Sequence, residues 1–315
     1  MIEARSLSKR YGTTAAVSEL SFTVRPGLVT GFLGPNGAGK TTTMRMILGL
    51  DHPTSGSVTI GGLPYSRLDW PMHEVGALLD ARAVHGGRTA RNHLLSLAQT
   101  NGIARRRVDE VLGTVGLSDV AGKRTKGFSL GMSQRLGIAA ALLGDPRILM
   151  FDEPVNGLDP EGIIWIRTLM RSLAAEGRTV LVSSHLMPEM ENTADHLIVV
   201  GRGRLIADCS MTDFVAGSSA RAVLVRTPQR DVLAAAVAAA GGTTSAAGDE
   251  LSVGGLSEEQ IADLAYANDI RLHHLAPVKV SLEQAFMELT ADSVEYHAGL
   301  PAGMQSAASG METGR

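Results

Sequence analysis

The sequence of 315 residues has a single cysteine, Cys209, few aromatic residues and no long uninterrupted apolar run. One cysteine cannot form an internal disulfide, so nothing indicates an oxidising compartment. No stretch approaches the roughly 18 consecutive apolar residues that suggest a membrane-spanning helix. The charged residues 1–10 are not followed by the apolar segment of a secretory signal. The sequence therefore predicts a cytoplasmic protein that reaches a membrane only through a partner.

An excess of charge of one sign is also missing, because 29 Lys and Arg face 32 Asp and Glu, for a net charge of -3. No overall basic field would attract nucleic acid or an anionic membrane. The short basic cluster at residues 105–107 begins an amphipathic stretch and is interpreted as a solvated helix face. Composition therefore gives no support for a nucleic-acid partner.

Residues 1–212 alternate short apolar runs with helical patterns, which is typical of an α/β domain with a largely buried sheet. Strands are predicted at residues 20–24, 28–33, 58–60, 75–79, 148–151, 180–183 and 197–200. Helices are predicted at residues 40–50 and 161–175. Between about residues 85 and 145, apolar residues recur every three or four positions, which predicts a helical insert.

From residue 213 the composition shifts toward Ala and Gly, and the pattern predicts a second, smaller α+β domain over residues 213–290. The predicted order is strand (222–226), helix (231–240), two short strands around Asp249, helix (257–268) and strand (270–275). That order suits a βαββαβ sandwich. An amphipathic helix is predicted at residues 282–289 and a disordered tail at residues 291–315.

The clearest motif is residues 34–41, which have the spacing glycine, four residues, glycine, lysine and threonine between a strand and a helix. The glycines let backbone N–H groups converge on phosphate oxygens, and the helix adds its positive N-terminal end. The lysine reaches the β- and γ-phosphates, and the threonine hydroxyl binds Mg²⁺. A plain glycine-rich turn is the alternative, and the strand and helix on either side disfavour it. The predicted nucleotide-binding residues are Gly34, Pro35, Asn36, Gly37, Ala38, Gly39, Lys40, Thr41 and Thr42.

A pair of acidic residues, Asp152 and Glu153, follows the apolar run 148–151. An aspartate at the end of a buried strand can hold Mg²⁺ together with Thr41, and the adjacent glutamate can accept the proton of an attacking water. Acidic residues commonly end strands, so this signal depends on the phosphate loop upstream. With that loop, the sequence predicts a site for ATP and Mg²⁺.

In combination, these motifs resemble those of ABC transporter ATPase subunits over about residues 1–210. In that family the phosphate loop precedes a helical subdomain, a signature loop of the type LSGGQ, an acidic strand, a D-loop and a switch histidine. All can be placed here in that order. The resemblance implies a P-loop NTPase fold of ABC-cassette type, with a RecA-like core, an antiparallel β subdomain and a helical subdomain. It also implies ATPase activity.

The signature loop is represented by residues 128–132, where the resemblance implies that Ser129, Gly131 and Met132 contact ATP held by an opposite subunit. Asp159, in the D-loop segment 156–160, is implied to couple the two sites. A bland alternative for Ser129 is a helix N-cap, and the two interpretations are compatible because a capped helix N-terminus also binds phosphate.

Two further residues take family roles by position. His185, after the strand 180–183, is where the family keeps its γ-phosphate-sensing histidine, so it is implied to act beside Glu153. Tyr11 is where an aromatic ring stacks on adenine. A structural histidine and a strand or turn aromatic are the respective alternatives.

The chain departs from the family pattern at Asp80, where most members have a glutamine that senses Mg²⁺ and contacts the membrane subunit. A carboxylate on a shorter stem can bind Mg²⁺ but cannot donate a hydrogen bond. Leu130 and Met132 replace a signature glycine and glutamine. These features resemble bacitracin-resistance exporters, and residues 282–290 resemble the tail of daunorubicin-resistance subunits. Both resemblances imply the ABC-2 export group.

The resemblance implies a head-to-tail pair of cassettes, as a homodimer or as a heterodimer with a second ABC subunit. It further implies a separate multi-helix transmembrane permease that exports a drug, antibiotic or lipid-like molecule, which would hold this chain at the cytoplasmic membrane face. Two alternatives stay open: a soluble ABC ATPase that acts on the ribosome or DNA, and an importer ATPase. Nothing in the sequence indicates the transported molecule.

Overall fold

The computed structural model describes residues 1–217, 222–277 and 286. The strands are β1 (Ile2–Tyr11), β2 (Thr14–Val24), β3 (Val29–Leu33), β4 (Ser55–Ile60), β5 (Val75–Leu78), β6 (Ile148–Asp152), β7 (Thr179–Ser184), β8 (His196–Gly201), β9 (Arg204–Ser210), β10 (Ala222–Arg226), β11 (Thr243–Ala247), β12 (Glu250–Gly254) and β13 (His274–Pro277). The helices are α1 (Lys40–Ile47), α2 (Pro71–Glu74), α3 (Ala90–Thr100), α4 (Arg105–Thr114), α5 (Leu130–Leu142), α6 (Pro160–Ala175), α7 (Met187–Glu191), α8 (Met211–Gly217), α9 (Arg230–Ala239) and α10 (Glu258–Ala267).

The central sheet has six strands in the order β5-β6-β7-β3-β8-β9. All neighbours in it are parallel except the last pair, β8 and β9. Asp152 pairs with Ser183, and Leu33 pairs with Ser184, so the carboxyl ends of β6, β7 and β3 lie at one edge. Ligands of open α/β sheets bind outside such ends.

The parallel strands β3, β6 and β7 are buried along their whole length, which explains their nearly continuous apolar sequences. Alternate side chains contribute to two hydrophobic clusters, one on each face. Leu149, Phe151 and Val182 lie in the cluster shared with α5 and α6. Met150 and Leu181 lie in the cluster shared with α1 and the antiparallel sheet β2-β1-β4. The sheet is therefore covered on both faces.

Two strands of this first part, β1 and β9, were not indicated by the sequence. In β1 the buried Ile2, Ala4 and Leu7 interrupt a run of charged residues, so the apolar pattern is short and irregular. The pairing of β1 with β2 has a register shift between Ala4 and Leu7, which further disturbs the alternation of buried and exposed residues. The segment that was interpreted only as a charged N-terminus is therefore the middle strand of the antiparallel sheet.

The helical insert predicted at about residues 85–145 contains α3, α4 and α5. Buried residues of α3 and α4, among them Leu94, Val108 and Leu112, belong to the same cluster as the central sheet. α5 lies directly against β5, and Gly76 in β5 touches its backbone: a Cβ there would overlap the carbonyl group of Ala141. The absence of a side chain thus sets the distance between the insert and the sheet.

Gly76→Ala is accordingly expected to lower the free energy of unfolding by about 1–3 kcal/mol, because the added methyl group forces two backbones apart. Chemical denaturation followed by circular dichroism measures the change. Gly122→Ala is the matched control, since a Cβ at that position meets no atom within 4 Å. Equal stability of the two variants would contradict the packing described for β5 and α5.

The part of the chain after α8 has the element order β10, α9, β11, β12, α10 and β13, which is the predicted βαββαβ order. Its four strands form an antiparallel sheet in the order β11-β12-β10-β13, with a hydrophobic cluster of its own. The last strand begins at His274 and not at the predicted Ile270. Ile270 lies in the turn that ends α10, where its side chain is buried and its N–H group donates to the Ala265 carbonyl oxygen. Its apolar side chain therefore indicates packing without a strand.

The helix predicted at residues 282–289 and the tail predicted at residues 291–315 lie outside the described residues, apart from Phe286. Phe286 is buried in the same cluster as Phe214 and the central sheet. The predicted boundary between residues 212 and 213 falls inside α8, and the division into domains stays a prediction. Within the part of the chain that the structure describes, no helix combines the length and apolarity required to cross a membrane.

Candidate functional site

The loop of residues 34–39 connects β3 to α1 and curves tightly against neighbouring backbone. Gly39 has a left-handed φ of 97°, and a Cβ there would lie 2.5 Å from the carbonyl oxygen of Ala16. A Cβ on Gly34 would overlap the carbonyl oxygen of Val200. Only glycine tolerates a left-handed φ and such close contact with neighbouring backbone, so the glycine spacing of the motif reflects the shape of the loop.

Lys40 begins α1 and is 7% exposed. Its Nζ donates to the carbonyl oxygens of Gly34 at 2.6 Å and Pro35 at 3.3 Å, so the ammonium group lies across the loop. Burial lowers the pKa of Lys40 from its usual value, while the carboxylates of Glu153 and Asp152 oppose that shift. The loop therefore holds a cation between its own carbonyl groups and two acidic residues.

Asp152, at the end of β6, accepts hydrogen bonds on both carboxylate oxygens. The Thr41 hydroxyl donates to Oδ2 at 2.6 Å, and the Ser183 hydroxyl donates to Oδ1. Thr41 comes from α1 and Ser183 from β7, so three elements meet at this carboxylate. The structure therefore brings the predicted pair, Thr41 and Asp152, together. Ser183 was not predicted from the sequence as a site residue. Ser183 is recognised only from the structure, where the parallel register of β6 and β7 pairs it with Asp152.

Glu153 and His185 also meet at this edge of the sheet. The Glu153 Oε2 atom lies 2.8 Å from His185 Nδ1, and their side chains are 20% and 41% exposed. The Glu153 N–H group donates to Ser183 Oγ at 3.0 Å. The carboxylate is thus partly open to solvent and oriented by the imidazole, as expected for a group that accepts a proton from water.

Most of these groups line a cavity of about 490 Å³, within the usual size range of small-molecule sites, whereas Gly34 and His185 do not line it. The predicted residues that line it are Pro35, Asn36, Gly37, Ala38, Gly39, Lys40, Thr41, Thr42, Asp80, Asp152 and Glu153. Residues that line it without having been predicted as site residues are Ala16, Leu79, Ala81, Arg82, Leu130, Gln134 and Asn156. Most of the predicted set therefore converges on one cavity.

Four predicted residues lie instead at the N-termini of α5 and α6. The Ser129 hydroxyl accepts the N–H group of Met132 at 3.1 Å, and Asp159 Oδ1 accepts the N–H group of Gly162 at 3.0 Å. Both side chains are therefore helix N-caps. A Cβ on Gly131 would lie 2.9 Å from the Gly157 carbonyl oxygen, so the two helix starts are in contact. None of Ser129, Gly131, Met132 and Asp159 lines the cavity of its own chain.

Tyr11 and Asp80 each have a hydrogen-bond partner within the protein. Tyr11 is 49% exposed at the end of β1, where its hydroxyl donates to Asp51 Oδ2 at 3.1 Å, and it does not line the cavity. Asp80 follows β5 and does line the cavity, and its Oδ1 atom accepts the N–H group of Arg82 at 2.7 Å. In the structure, the Tyr11 hydroxyl is therefore paired with Asp51 and the Asp80 carboxylate with the Arg82 backbone.

The oxygen atoms of Thr41 and Asp152 fit Mg²⁺ by their chemistry, because this hard cation prefers carboxylate and hydroxyl oxygens. Across the described residues, no group of three or more His, Cys, Asp and Glu could hold a metal by itself. A pair of protein oxygens beside a phosphate loop is the usual way in which Mg²⁺ is held with a nucleotide.

Comparison with known proteins agrees with this geometry. The model of the ABC transporter family matches residues 17–156, and that of a domain of unknown function (DUF8746) matches residues 221–283. The chain is 43% identical over 211 residues to the bacitracin transport ATP-binding protein BcrA of Bacillus licheniformis, covering 66% of this chain and 69% of that protein. It is 34% identical over 308 residues to the uncharacterized ABC transporter ATP-binding protein YhcH of Bacillus subtilis (strain 168), covering 94% of this chain and 97% of that protein.

Among solved structures, the ATP-binding cassette MJ0796 is similar with a TM-score of 0.62 and 25% identity, covering 67% of this chain and 99% of that one. It was solved as a dimer in a post-hydrolysis state bound to ADP and phosphate. These similarities confirm the predicted α/β fold class and the family resemblance. The chain belongs to the ABC transporter family, in which it is an ATP-binding and ATP-hydrolysing subunit.

Proposed function

We propose that this chain binds ATP with Mg²⁺ at its phosphate loop and uses the hydrolysis to drive export through a separate transmembrane subunit. The proposal rests mainly on two hydrogen-bonded side-chain pairs that lie beside Lys40. They are Thr41 with Asp152 and Glu153 with His185. One pair supplies oxygens for a cation, and the other supplies a base and its orienting partner. Phosphate transfer to water needs both.

The loop would hold the phosphates through its backbone N–H groups and the N-terminus of α1. Lys40 Nζ now donates to the Gly34 and Pro35 carbonyl oxygens, and we propose that it exchanges them for phosphate oxygens. Thr41 and Asp152 would hold Mg²⁺, which would neutralise part of the phosphate charge when bound. Glu153 accepts the proton of the attacking water, and His185 orients the carboxylate and contacts the γ-phosphate.

Ser183→Ala tests whether the Ser183 hydroxyl supports Asp152, one of the two residues that would hold Mg²⁺. The Ser183 hydroxyl holds one oxygen of Asp152, and loss of such a supporting hydrogen bond weakens metal affinity by roughly 10- to 100-fold. We expect the Mg²⁺ concentration for half-maximal ATPase activity to rise accordingly. Titration of activity with Mg²⁺ at saturating ATP measures it.

Ser184→Ala is the matched control, because its hydroxyl accepts the Leu186 N–H group and does not touch Asp152. An unchanged Mg²⁺ requirement in Ser183→Ala, or an equal change in both variants, would count against the proposed cation site.

A second copy of the cassette completes the proposed site. Ser129, Gly131, Met132 and Asp159 lie away from their own cavity, and Ser129 is exposed at the start of α5, where an anion is favoured. The solved dimer of the similar cassette MJ0796 supports this arrangement. We propose that these residues contact ATP held by the partner, in a homodimer or in a heterodimer with another ABC subunit.

Export is proposed from the similarity to BcrA, a bacitracin transport ATP-binding protein. The transmembrane path would belong to a multi-helix permease that holds this chain at the cytoplasmic membrane face, with Asp80 at the loop nearest to it.

Two experiments test the proposal. The first is co-purification of this chain with such a permease. The second measures the resistance of cells that express both proteins to a panel of peptide antibiotics, drugs and lipid-like compounds. Resistance that disappears in the Glu153→Gln variant supports export. Energy-dependent uptake would support the importer alternative, and association with ribosomes or DNA would support the soluble one.

Two assignments complete the proposal. Tyr11 would stack on adenine, since its ring is half exposed at the end of β1, the strand beside β2. Residues 213–290 would form a smaller domain, because β10 to β13 enclose their own cluster. The packing of Phe286 into the cassette cluster supports a role of that domain in steadying the cassette.

A further inference from the structure

Glu153 has an unusual backbone conformation for a residue with a side chain. Its φ is 49°, in the left-handed region that favours glycine. Such conformations persist only when the surroundings hold them, and they cluster at functional sites. The contacts that fix this peptide therefore determine where the carboxylate points.

Two buried side chains hold the backbone of Glu153 from opposite sides. Its N–H group donates to Ser183 Oγ at 3.0 Å, and its carbonyl oxygen accepts Gln134 Nε2 at 3.1 Å. The same carbonyl oxygen accepts the N–H group of Asn156 at 3.2 Å within the turn. Ser183 is fully buried and Gln134 is 4% exposed, so water cannot readily replace either contact.

Gln134 belongs to α5, the helix that begins at the signature loop. It lies in the second turn after Ser129, the N-cap of that helix. The first turn of α5 also packs on the loop after β6, where a Cβ on Gly131 would lie 2.9 Å from the Gly157 carbonyl oxygen. A shift of α5 must therefore act directly on the peptide that carries Glu153.

We infer that Gln134 is a positioning residue, whose buried amide ties the orientation of Glu153 to the position of the signature helix in the same subunit. The inference rests on the proposed role of Glu153 as the base. It makes the hydrolysis step sensitive to α5, the element that would touch ATP of the partner cassette. The Gln134 amide contacts the Glu153 peptide and not its carboxylate.

Gln134→Met removes the amide and keeps the length of the side chain. We expect kcat of the full-length chain to fall about 100-fold, as for a misplaced catalytic group, with KM for ATP and analogue affinity nearly unchanged. Gln134→Leu also lacks the donor and should show the same pattern, so it replaces Gln134→Met if that variant folds poorly. Thr193→Val is the control for loss of a buried hydrogen bond, because Thr193 is 2% exposed and donates to the Glu189 carbonyl oxygen at 2.6 Å.

A double-mutant cycle separates positioning from general damage. If Gln134 acts through Glu153, adding Gln134→Met to Glu153→Gln should not lower the residual single-turnover rate any further. Multiplied losses, or wild-type kcat in Gln134→Met, would overturn the inference. Wild-type kcat in Glu153→Gln alone would instead remove the proposed role of Glu153, so the two failures are distinguishable.

Discussion

Glu153→Gln is expected to reduce kcat for ATP hydrolysis by about 10³-fold, the typical contribution of a general base, while ATP affinity stays close to that of the wild type. The amide has nearly the same shape as the carboxylate but cannot accept the proton of an attacking water. The Glu153 carboxylate lies 2.8 Å from His185 and is partly exposed, so the substitution removes chemistry and leaves the phosphate loop intact. Steady-state phosphate release and titration with a fluorescent ATP analogue measure the two quantities.

The same variant should accumulate as an ATP-bound dimer, because binding closes the pair and hydrolysis would normally release it. Size-exclusion chromatography with and without ATP detects this. Glu176→Gln is the control, since Glu176 is exposed and pairs with Arg178 at the surface. A wild-type rate in Glu153→Gln would contradict the role assigned to Glu153.

Lys40→Ala is expected to weaken ATP binding by roughly 10- to 100-fold, the equivalent of one or two hydrogen bonds to a charged group. The ammonium group is almost completely buried and is held by two loop carbonyl groups, so the substitution removes a positive charge that lies at the loop itself. Lys40→Arg should not restore affinity, because a larger planar head does not fit a site shaped for a compact ammonium group.

Isothermal titration calorimetry with a non-hydrolysable ATP analogue measures the loss. Lys123→Ala is the control for removal of a positive charge, since Lys123 is exposed and does not line the cavity. Unaltered affinity in Lys40→Ala, or equal losses in both variants, would contradict the phosphate-loop assignment.

The sequence predicted those parts of the site that lie within short segments. The phosphate loop is defined by local glycine spacing, and Asp152 and Glu153 follow a strand whose apolar run is continuous because both faces are covered. His185 was placed by its position after β7, and the hydrogen bond between it and Glu153 agrees with that placement. Local motifs and buried strands carry their own signals in the sequence.

Contacts between distant segments could not be predicted in the same way. Ser183 and Gln134 are 31 and 19 residues from their partners Asp152 and Glu153, and each looks like an ordinary polar residue of a strand or helix. The strand β1 was missed because its few buried side chains are separated by charged ones and its register shifts. Such features depend on tertiary pairing, which overrides local pattern.

We propose that the loop of residues 34–41 holds a nucleotide triphosphate, with Thr41 and Asp152 as the residues that would hold Mg²⁺. A crystal structure of the full-length chain with Mg²⁺ and a non-hydrolysable ATP analogue tests it most directly. We expect the phosphates against the loop N–H groups and Lys40 Nζ, with the cation on the Thr41 hydroxyl. An analogue bound elsewhere, with Lys40 still donating to the Gly34 carbonyl oxygen, would contradict it.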